Sequence, residues 1–571
     1  MLENLVLLLL LGLILWLPIL VGLGEILLRF LGIDECENEQ SWLCWVSLRG
    51  FLGIAVAGTI ALLVNFVAPV NGLVAVGIWL FGVAGLVGAR HGSVSRRMWI
   101  LFGGLAVVVA WLSAREFRHG DTGLYHWQAV KWAASAPVVP GLANLNPWFG
   151  HNSTWWLFSA ALGFPGFTAH TANLVGGTVL FFSLLLLAGC VGRVWRKEAK
   201  LGDWIIVTAT YLFVRQGLGV NTPGIATSMA ANLFILATAY LLATSAVEPD
   251  GTSLSKALLL AAFAVTVKLQ ALPILVVTGS IWVLHFFKPG HSIGKSKLLI
   301  TGASASLIIL WMLRGIVISG YPLFPSVFLG FPSLPWSLSK AEVNSYRELV
   351  GSWHLRGLDS EAGLLRNVSQ WITNQQGLQN VIFLAIAMGG FFLLLAAVLA
   401  WRWRRDRLGN QHPFLFSTRD VSLAGSGLLL AVGILGLVYC AILAPAFQYA
   451  SGYFCLVAGV VLSAAFLVAE WKTWSPRPRF AVLFAILAGS FFLKGGTKAF
   501  PSVPIVHWPE FPQSPLASFV TADGLTIHFR ANGFAWDAPL PASIASDPTL
   551  RAFSFGPGML PATFFSKKPR E

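Results

Sequence analysis

Charged side chains are scarce in this sequence. Only 11% of its 571 residues are Asp, Glu, Lys or Arg, whereas 56% are hydrophobic. A typical soluble domain carries about 25% charged residues, so a single soluble core is excluded. Apolar runs of the ~17 to 25 residues that cross a bilayer recur along the chain, separated by short basic segments. The sequence therefore predicts an integral membrane protein.

Cysteine is also rare, and its spacing shows no metal-site pattern. The five cysteines occur singly and mostly within apolar runs, with no C-x-x-C pair among them. We therefore interpret them as small buried side chains, which is the commonest environment of a free cysteine. They are Cys36, Cys44, Cys190, Cys440 and Cys455.

Acidic residues are fewer than basic ones, 24 against 38, which gives a formal net charge of +14. Such an excess can indicate a nucleic-acid partner, but here the basic residues are not pooled in one patch. They fall in short segments between apolar runs, at 88–97, 192–200, 288–297, 401–412 and 470–479. By the positive-inside rule these segments lie in the cytoplasm, so the charge reports topology and we expect no nucleic-acid partner.

The apolar runs number about fourteen, and they allow an even number of crossings between consecutive basic segments. Several runs are too short to cross unless the helix is tilted or broken. The predicted fold is an all-α polytopic membrane protein, a bundle of roughly 12 to 14 transmembrane helices. The runs cover 4–23, 50–67, 72–88, 98–113, 172–191, 203–217, 224–245, 257–267, 270–287, 298–318, 380–400, 421–442, 451–469 and 480–493.

Three segments then face the outside: the loops 114–171 and 319–379 and the tail from residue 494. The second loop carries several prolines, followed by a segment with the spacing of an amphipathic helix. We expect extra N-terminal helices in residues 1–97, a transmembrane core with both loops in 98–493, and a small external cap in 494–571.

The first external loop opens with RHGDTGLYHWQAVKW, in which Asp121 is the most unusual residue. An acidic side chain beside apolar runs at a membrane boundary is costly unless it has a partner or a task. Aromatic and polar side chains follow it, and an interfacial belt is the alternative interpretation of the aromatic ones. The candidate site residues in this loop are Asp121, Tyr125, His126, Trp127, Lys131, Asn146, Trp148, His151 and Asn152.

Cations lie near the external ends of three apolar runs, at Arg215, Lys268 and Arg314. Snorkelling of the long side chain explains each of them equally well when it is considered alone. By topology, however, all three belong to the same leaflet as Asp121. A carboxylate and several cations at one face suit a reaction in which a hydroxyl is deprotonated and a phosphate leaves.

Motifs in the same order along the chain carry a resemblance to a known superfamily. They are DTGLYHWQAVKW with PGLANLNPWFGHNSTWW, then TVKLQALP, SGYPLFPS and WDAPLP. Together they resemble a bacterial branch of the C superfamily (GT-C) of polytopic membrane glycosyltransferases, over most of the chain from residue 98 onward. The sequence departs from better-known members in having three apolar runs within residues 1–97, ahead of the run that leads into the first external loop, and it lacks an acidic pair at Asp121.

The resemblance implies a GT-C-like bundle that transfers a sugar from a polyprenyl-phosphate donor to an acceptor hydroxyl, with inversion. It implies that Asp121 is the catalytic base and that His126 assists it. The missing acidic pair at Asp121 argues against a metal-dependent mechanism, and no cofactor is expected. Substrate contacts are expected from Tyr125, Trp127, Lys131, Asn146, Trp148, His151, Asn152 and Tyr321, and donor phosphate contacts from Arg215, Lys268 and Arg314.

The resemblance also implies a location and partners. The protein is expected in a bacterial inner membrane as a multi-pass chain, with the site on the periplasmic face. Its partners are then the lipid bilayer, the polyprenyl-phosphate sugar and a glycan, lipid or protein acceptor.

Two rival interpretations remain open from the residues alone. A lipid or glycan transporter, or flippase, also has many spans and a few intramembrane charges, although no internal repeat is visible here. An O-antigen ligase or polymerase relies on arginines in a late external loop, for which Arg347, Arg356 and Arg366 are available. A non-enzymatic scaffold fits the clustered charges least well.

Overall fold

The structure is a computed structural model that describes the following parts of the chain. They are residues 5–33, 42–88, 96–114, 120–163, 171–196, 198–199, 201–217, 224–245, 251–287, 294–354, 423–443, 447–468, 515–521, 523–530, 532–547, 549–553 and 560–565.

Helices dominate the described residues, because a chain in lipid must satisfy its backbone hydrogen bonds within each segment. The first four are α1 (Leu5–Phe30), α2 (Trp42–Asn65), α3 (Gly72–Gly88) and α4 (Arg96–Ser113). Short elements follow: a π-helical turn (Thr122–His126), α5 (Trp127–Ser135), α6 (Leu142–Leu145), a 3₁₀ turn (Pro147–Gly150) and α7 (Thr154–Ala161).

The remaining helices are again mostly long and apolar. They are α8 (Thr171–Arg196), α9 (Leu201–Gly217), α10 (Thr227–Ser245), α11 (Thr252–Val267), α12 (Leu272–Phe286), α13 (Lys295–Ser319), α14 (Lys340–His354), α15 (Leu423–Leu443) and α16 (Phe447–Val468). A 3₁₀ turn, Leu269–Ala271, joins α11 to α12.

Eight helical segments in the described part of the chain are long and apolar enough to span a membrane, and four shorter apolar helices accompany them. Twelve of the apolar runs recognised in the sequence fall on these helices. The runs 380–400 and 480–493 lie outside the described residues. The prediction of a mostly helical, multi-pass membrane protein is thus confirmed, while the total of 12 to 14 spans stays a prediction.

Ion pairs hold the helices together at the end that carries the basic segments. Glu25 of α1 accepts hydrogen bonds from Arg29 at 2.7 Å and from Arg49 of α2 at 2.6 Å. Arg193 of α8 binds both carboxylate oxygens of Asp203 in α9. Pairing of this kind lowers the cost of charges among packed apolar helices.

The described cysteines are buried, as the sequence predicted. Cys44 and Cys190 lie beside Arg193, which donates to their sulfur atoms at 3.1 and 3.4 Å. Cys440 and Cys455 are buried in α15 and α16. Cys36 lies outside the described residues.

The opposite end of the bundle gathers the short elements and the C-terminal cap. Two antiparallel hairpins build the cap, β1 (Leu516–Val520) with β2 (Thr526–Arg530) and β3 (Arg551–Phe553) with β4 (Thr563–Phe565). Phe564 of β4 donates its amide hydrogen to Pro140 at 2.9 Å. The sequence predicted a cap but not its strands, since runs of three to five residues are too short for a period-2 pattern.

Candidate functional site

Asp121 lies at the start of the π-helical turn and is half-buried. Its carboxylate lies close enough to Tyr125, Lys268, Tyr346 and Tyr449 to shift the pKa of each. These residues belong to separate elements, namely the π-helical turn, the α11–α12 connection, α14 and α16. A π-helical turn re-aims the side chains at its start, and such turns are frequent at functional sites.

Lys268 brings a positive charge to this carboxylate. It ends α11 in an extended conformation, and its ammonium donates to the Ser228 hydroxyl at 2.8 Å. The same ammonium lies 3.9 Å from the centroid of the Tyr449 ring, a cation–π contact. Burial lowers the pKa of Lys268 to about 8, although the nearby Asp121 carboxylate opposes this shift. The amine therefore titrates close to the physiological range.

Stacked and edge-on rings, here called the aromatic cluster, form the wall beside Asp121. Tyr125 stacks on Trp148 at 5.3 Å between ring centroids and meets Trp156 edge-on at 5.5 Å. Trp148 in turn meets Tyr346 edge-on at 5.1 Å. The cluster comprises Tyr125, His126, Trp148, His151, Trp156, Phe324 and Tyr346.

Helix α14 delivers Tyr346 to this cluster, and a capping box fixes where the helix begins. The Ser339 hydroxyl accepts from the Glu342 amide at 3.2 Å, while the Glu342 carboxylate accepts from the Ser339 amide at 2.8 Å. One turn later the Tyr346 hydroxyl shares a 2.8 Å hydrogen bond with Nε2 of His151. Burial, together with the Asp121 carboxylate, raises the pKa of Tyr346 well above its usual value, so this phenol stays protonated.

Several residues that the sequence marked as substrate-binding hold the structure together instead of lining the cluster. The Lys131 ammonium binds Asp537 of the cap at 3.0 Å, and the Trp127 indole donates to the same carboxylate at 3.0 Å. The Asn146 side chain caps the 3₁₀ turn by accepting from the Trp148 amide.

Two further candidates are fully or largely buried. Tyr321 donates its hydroxyl to the Leu338 carbonyl at 3.0 Å, inside the loop that follows α13. Arg314 of α13 donates to Asn65 at 3.1 Å and to Asn152 at 2.6 Å, which ties three segments of the chain together.

The structure thus brings together some of the expected site residues and separates others. Asp121, Tyr125, His126, Trp148, His151 and Lys268 meet at the site. Trp127, Lys131, Asn146, Asn152, Tyr321 and Arg314 make the supporting contacts given above. Arg356 and Arg366 lie outside the described residues. Arg215 is near the end of α9, but its side chain is not among those described. Arg347 is exposed on α14.

Sequence reasoning missed Tyr346, Tyr449 and Ser228. For the two phenols the only signal in the sequence is that tyrosine is scarce, with eight in the chain. Their approach to Asp121 is visible only in the structure. For Ser228 the sequence gave no signal, since serine is common at helix ends. Among the described residues, no group of three or more His, Cys, Asp or Glu side chains is arranged to hold a metal ion.

One family model matches residues 6–455, which is most of the chain. Its description is "Domain of unknown function (DUF8201)". The chain belongs to the DUF8201 family. No curated protein and no solved structure matches it.

The DUF8201 match contains every residue that meets at the site, from Asp121 to Tyr449, and ends before the cap. The cap nevertheless contacts the π-helical turn, where the Trp536 amide donates to the Gly123 carbonyl at 2.9 Å. The site residues therefore lie within the matched part of the chain, and the cap, which contacts the π-helical turn, lies beyond it.

Proposed function

We propose that this DUF8201 protein is a membrane glycosyltransferase of GT-C type, which transfers a sugar from a polyprenyl-phosphate donor to an acceptor hydroxyl. The observation that carries the proposal is that Asp121 and Lys268 lie within electrostatic range of each other at one end of the bundle, beside the aromatic cluster. Sugar transfer from a phosphate requires both a base and a positive charge, on opposite sides of the reacting carbon.

In the proposed reaction, Asp121 takes the proton of the acceptor hydroxyl while the oxygen attacks the anomeric carbon. The bond between that carbon and the phosphate oxygen breaks, and its electron pair stays on the phosphate. The configuration of the sugar inverts, because attack and departure occur on opposite faces. Asp121 is only half-buried, so its carboxylate is open to an incoming hydroxyl.

Lys268 is the residue assigned to the leaving phosphate. Its ammonium is a compact charge that binds phosphate through up to three donors, of which Ser228 occupies one. Arg314 is less suitable, since its guanidinium is already engaged by the amides of Asn65 and Asn152.

The aromatic cluster is the proposed sugar site. The stacked pair of Tyr125 and Trp148 offers an apolar edge against which a pyranose ring can lie. Close by, the Tyr346 hydroxyl and His151 form a hydrogen-bonded pair that can exchange its bond for sugar hydroxyls. His126, which is buried against Tyr125 at 4.4 Å, orients that ring.

The donor class and the location are supported by the motif resemblance and by the distribution of basic segments. Under the positive-inside rule the site lies on the external face, which is the periplasm if the membrane is a bacterial inner membrane. A flippase would instead need charges along a path through the bundle, whereas Asp121 and Lys268 lie at one end of it.

The test compares purified wild type with Asp121→Asn and Asp547→Asn, in the transfer of radiolabelled sugar from polyprenyl-phosphate-sugar extracts. The amide cannot accept the proton, so Asp121→Asn should lower transfer by about 10² to 10⁴ fold. Asp547 is a cap residue whose carboxylate accepts from Thr549, and its replacement should leave the rate unchanged.

Equal transfer by all three proteins would remove Asp121 from the chemistry. A parallel vesicle assay follows movement of the same labelled lipid across the bilayer. If the labelled lipid crosses the bilayer but none of the three proteins transfers sugar, the protein is a flippase and the proposed enzyme activity is wrong.

A further inference from the structure

The segment between α13 and α14 is unusual for a chain outside the membrane, because it carries no charge. No Asp, Glu, Lys or Arg occurs between Arg314 and Lys340. Residues 320–339, here called the apolar loop, expose three large apolar side chains, Phe328 at 63%, Leu329 at 52% and Phe331 at 48%. Exposed apolar side chains that cluster in this way mark an interaction surface.

The exposure does not come from a loosely held backbone. The Phe331 amide donates to the Gly320 carbonyl at 2.8 Å, and the Leu338 amide donates to the Ser319 carbonyl at 3.0 Å. Tyr321 is fully buried beneath these bonds and ties the loop to its own far end through Leu338. The loop is therefore closed on its inner side and presents a preformed tip.

The backbone at the tip is held in a conformation that L-residues rarely adopt. Leu329 has φ of 55°, in the left-handed region that favours glycine. Gly330, which follows it, has no room for a Cβ atom, since that atom would lie 2.2 Å from the Tyr321 ring. Strain of this kind persists when the surrounding structure dictates it and is frequent at binding surfaces.

We propose that the tip of the apolar loop inserts into the external leaflet of the bilayer that α13 spans. The loop follows α13 directly, and Ile309 and Leu313 of that helix are 55% and 46% exposed, as expected of side chains that face lipid. Leu313 lies six residues before Ser319, about 9 Å along the helix axis, so lipid contact reaches almost to the start of the loop. An uncharged segment beginning there can enter the leaflet without burying a charge.

A second feature favours lipid over a protein partner. Trp336 on the returning arm of the loop donates its indole hydrogen to the Ile316 carbonyl of α13. This contact keeps the indole beside the last turn of a membrane-spanning helix, at the level where Trp is enriched in membrane proteins.

Insertion connects the bilayer with the candidate site and holds whether or not the proposed sugar transfer is correct. Phe324 on the inner side of the loop contacts His151 at 5.7 Å and Tyr346 at 5.0 Å between ring centroids. Insertion of the loop would therefore place the aromatic cluster next to the acyl chains. A substrate that carries a lipid chain could reach the cluster without leaving the leaflet.

The test measures depth in the bilayer with nitroxide labels on the full chain in liposomes. Phe328→Cys and Phe331→Cys report on the tip, and Phe553→Cys in strand β3 is the matched control, because Phe553 is 50% exposed. The unmutated chain gives the background from native cysteines. Collisions with oxygen, which dissolves in lipid, are compared with collisions with a polar nickel chelate.

Insertion predicts that the oxygen-to-nickel ratio at both tip positions exceeds the ratio at position 553 by about tenfold, because a polar complex is excluded from hydrocarbon. Equal ratios at all three positions would overturn the proposal. Spin–spin broadening between tip labels of different molecules would also overturn it, by showing that a second copy covers the tip.

Discussion

Lys268 is the residue whose ionisation the proposed chemistry depends on most. Its ammonium must be protonated to compensate a leaving phosphate, whereas burial lowers its pKa to about 8. The charged form therefore predominates below pH 8 and is lost as the pH rises through that value. The phosphodiester of the donor stays anionic over the whole range, so the donor does not contribute to this dependence.

We expect donor binding by the wild type to weaken as the pH is raised past about 8. Lys268→Arg should move the loss to much higher pH, because a guanidinium stays charged. Lys268→Gln should lower transfer by about 10² fold below pH 8, where the wild-type ammonium is charged, and by less above it, because the wild type then loses the same charge. Donor affinity from pH 6 to 10, measured by binding of a labelled polyprenyl-phosphate sugar, checks the first two outcomes, and the transfer assay over the same range checks the third.

The control for this profile is Lys131→Arg. Lys131 pairs with Asp537 of the cap and is not in the group around Asp121, so its replacement should leave the pH profile unchanged. A wild-type profile that is flat between pH 7 and 9 would contradict the role of Lys268.

The importance of a single residue could be predicted where its energetic cost depends only on its neighbours in the sequence. Asp121 and Lys268 stood out in the sequence because a charge beside apolar runs requires an explanation wherever the chain folds. Their meeting with Tyr346 and Tyr449 was not predictable, since it depends on how α14 and α16 pack. The Asn152 side chain likewise has the groups to bind a sugar hydroxyl, but in the structure its carbonyl oxygen accepts a hydrogen bond from Arg314.

Helices of the bundle were predictable as elements, and the short elements were not. A helix in lipid satisfies its own backbone, so an apolar run of sufficient length is nearly enough to specify it. The π-helical turn has no such local signature. It lies under the cap, where the Gln128 amide donates to the Trp536 and Ala538 carbonyls at 2.7 and 3.0 Å, and these partners are remote in sequence.

Gly123 makes the contact between the π-helical turn and the cap testable. A Cβ atom at this position would lie 2.3 Å from the Trp536 ring, closer than any real contact. Gly123→Ala should therefore displace the cap and lower stability by about 1 to 3 kcal/mol, the usual cost of overpacking. Thermal unfolding in detergent, together with proteolysis of the cap, measures the effect.

The matched control lies three residues earlier. A Cβ atom at Gly120 would meet only a Phe534 ring carbon at 3.7 Å, which is an ordinary contact. Gly120→Ala should thus leave both stability and proteolysis unchanged. If the cap of Gly123→Ala resists proteolysis as well as the wild-type cap does, Trp536 moves aside without cost and the prediction is wrong.

At the scale of the whole molecule, two groups of charged residues lie at opposite ends of the bundle. Glu25, Arg49, Arg193 and Asp203 pair near the end where α1 finishes and α2 begins. Asp121 and Lys268 lie at the other end, with the cap. The positive-inside rule predicts that the first of these ends, which also carries the basic segments, faces the cytoplasm.

The α2–α3 hairpin offers a direct test of which end faces outward. Val67 follows α2 at the site end and Val87 is near the end of α3 at the opposite end, and they are almost equally exposed, 81% and 83%. If the basic segments are cytoplasmic, Val67→Cys should react with a membrane-impermeant maleimide on intact spheroplasts, and Val87→Cys only after permeabilisation. The unmutated chain controls for native cysteines, of which those described are buried. The reverse pattern would place Asp121 and Lys268 on the cytoplasmic side of the membrane. It would therefore exclude the proposed transfer at the periplasmic face.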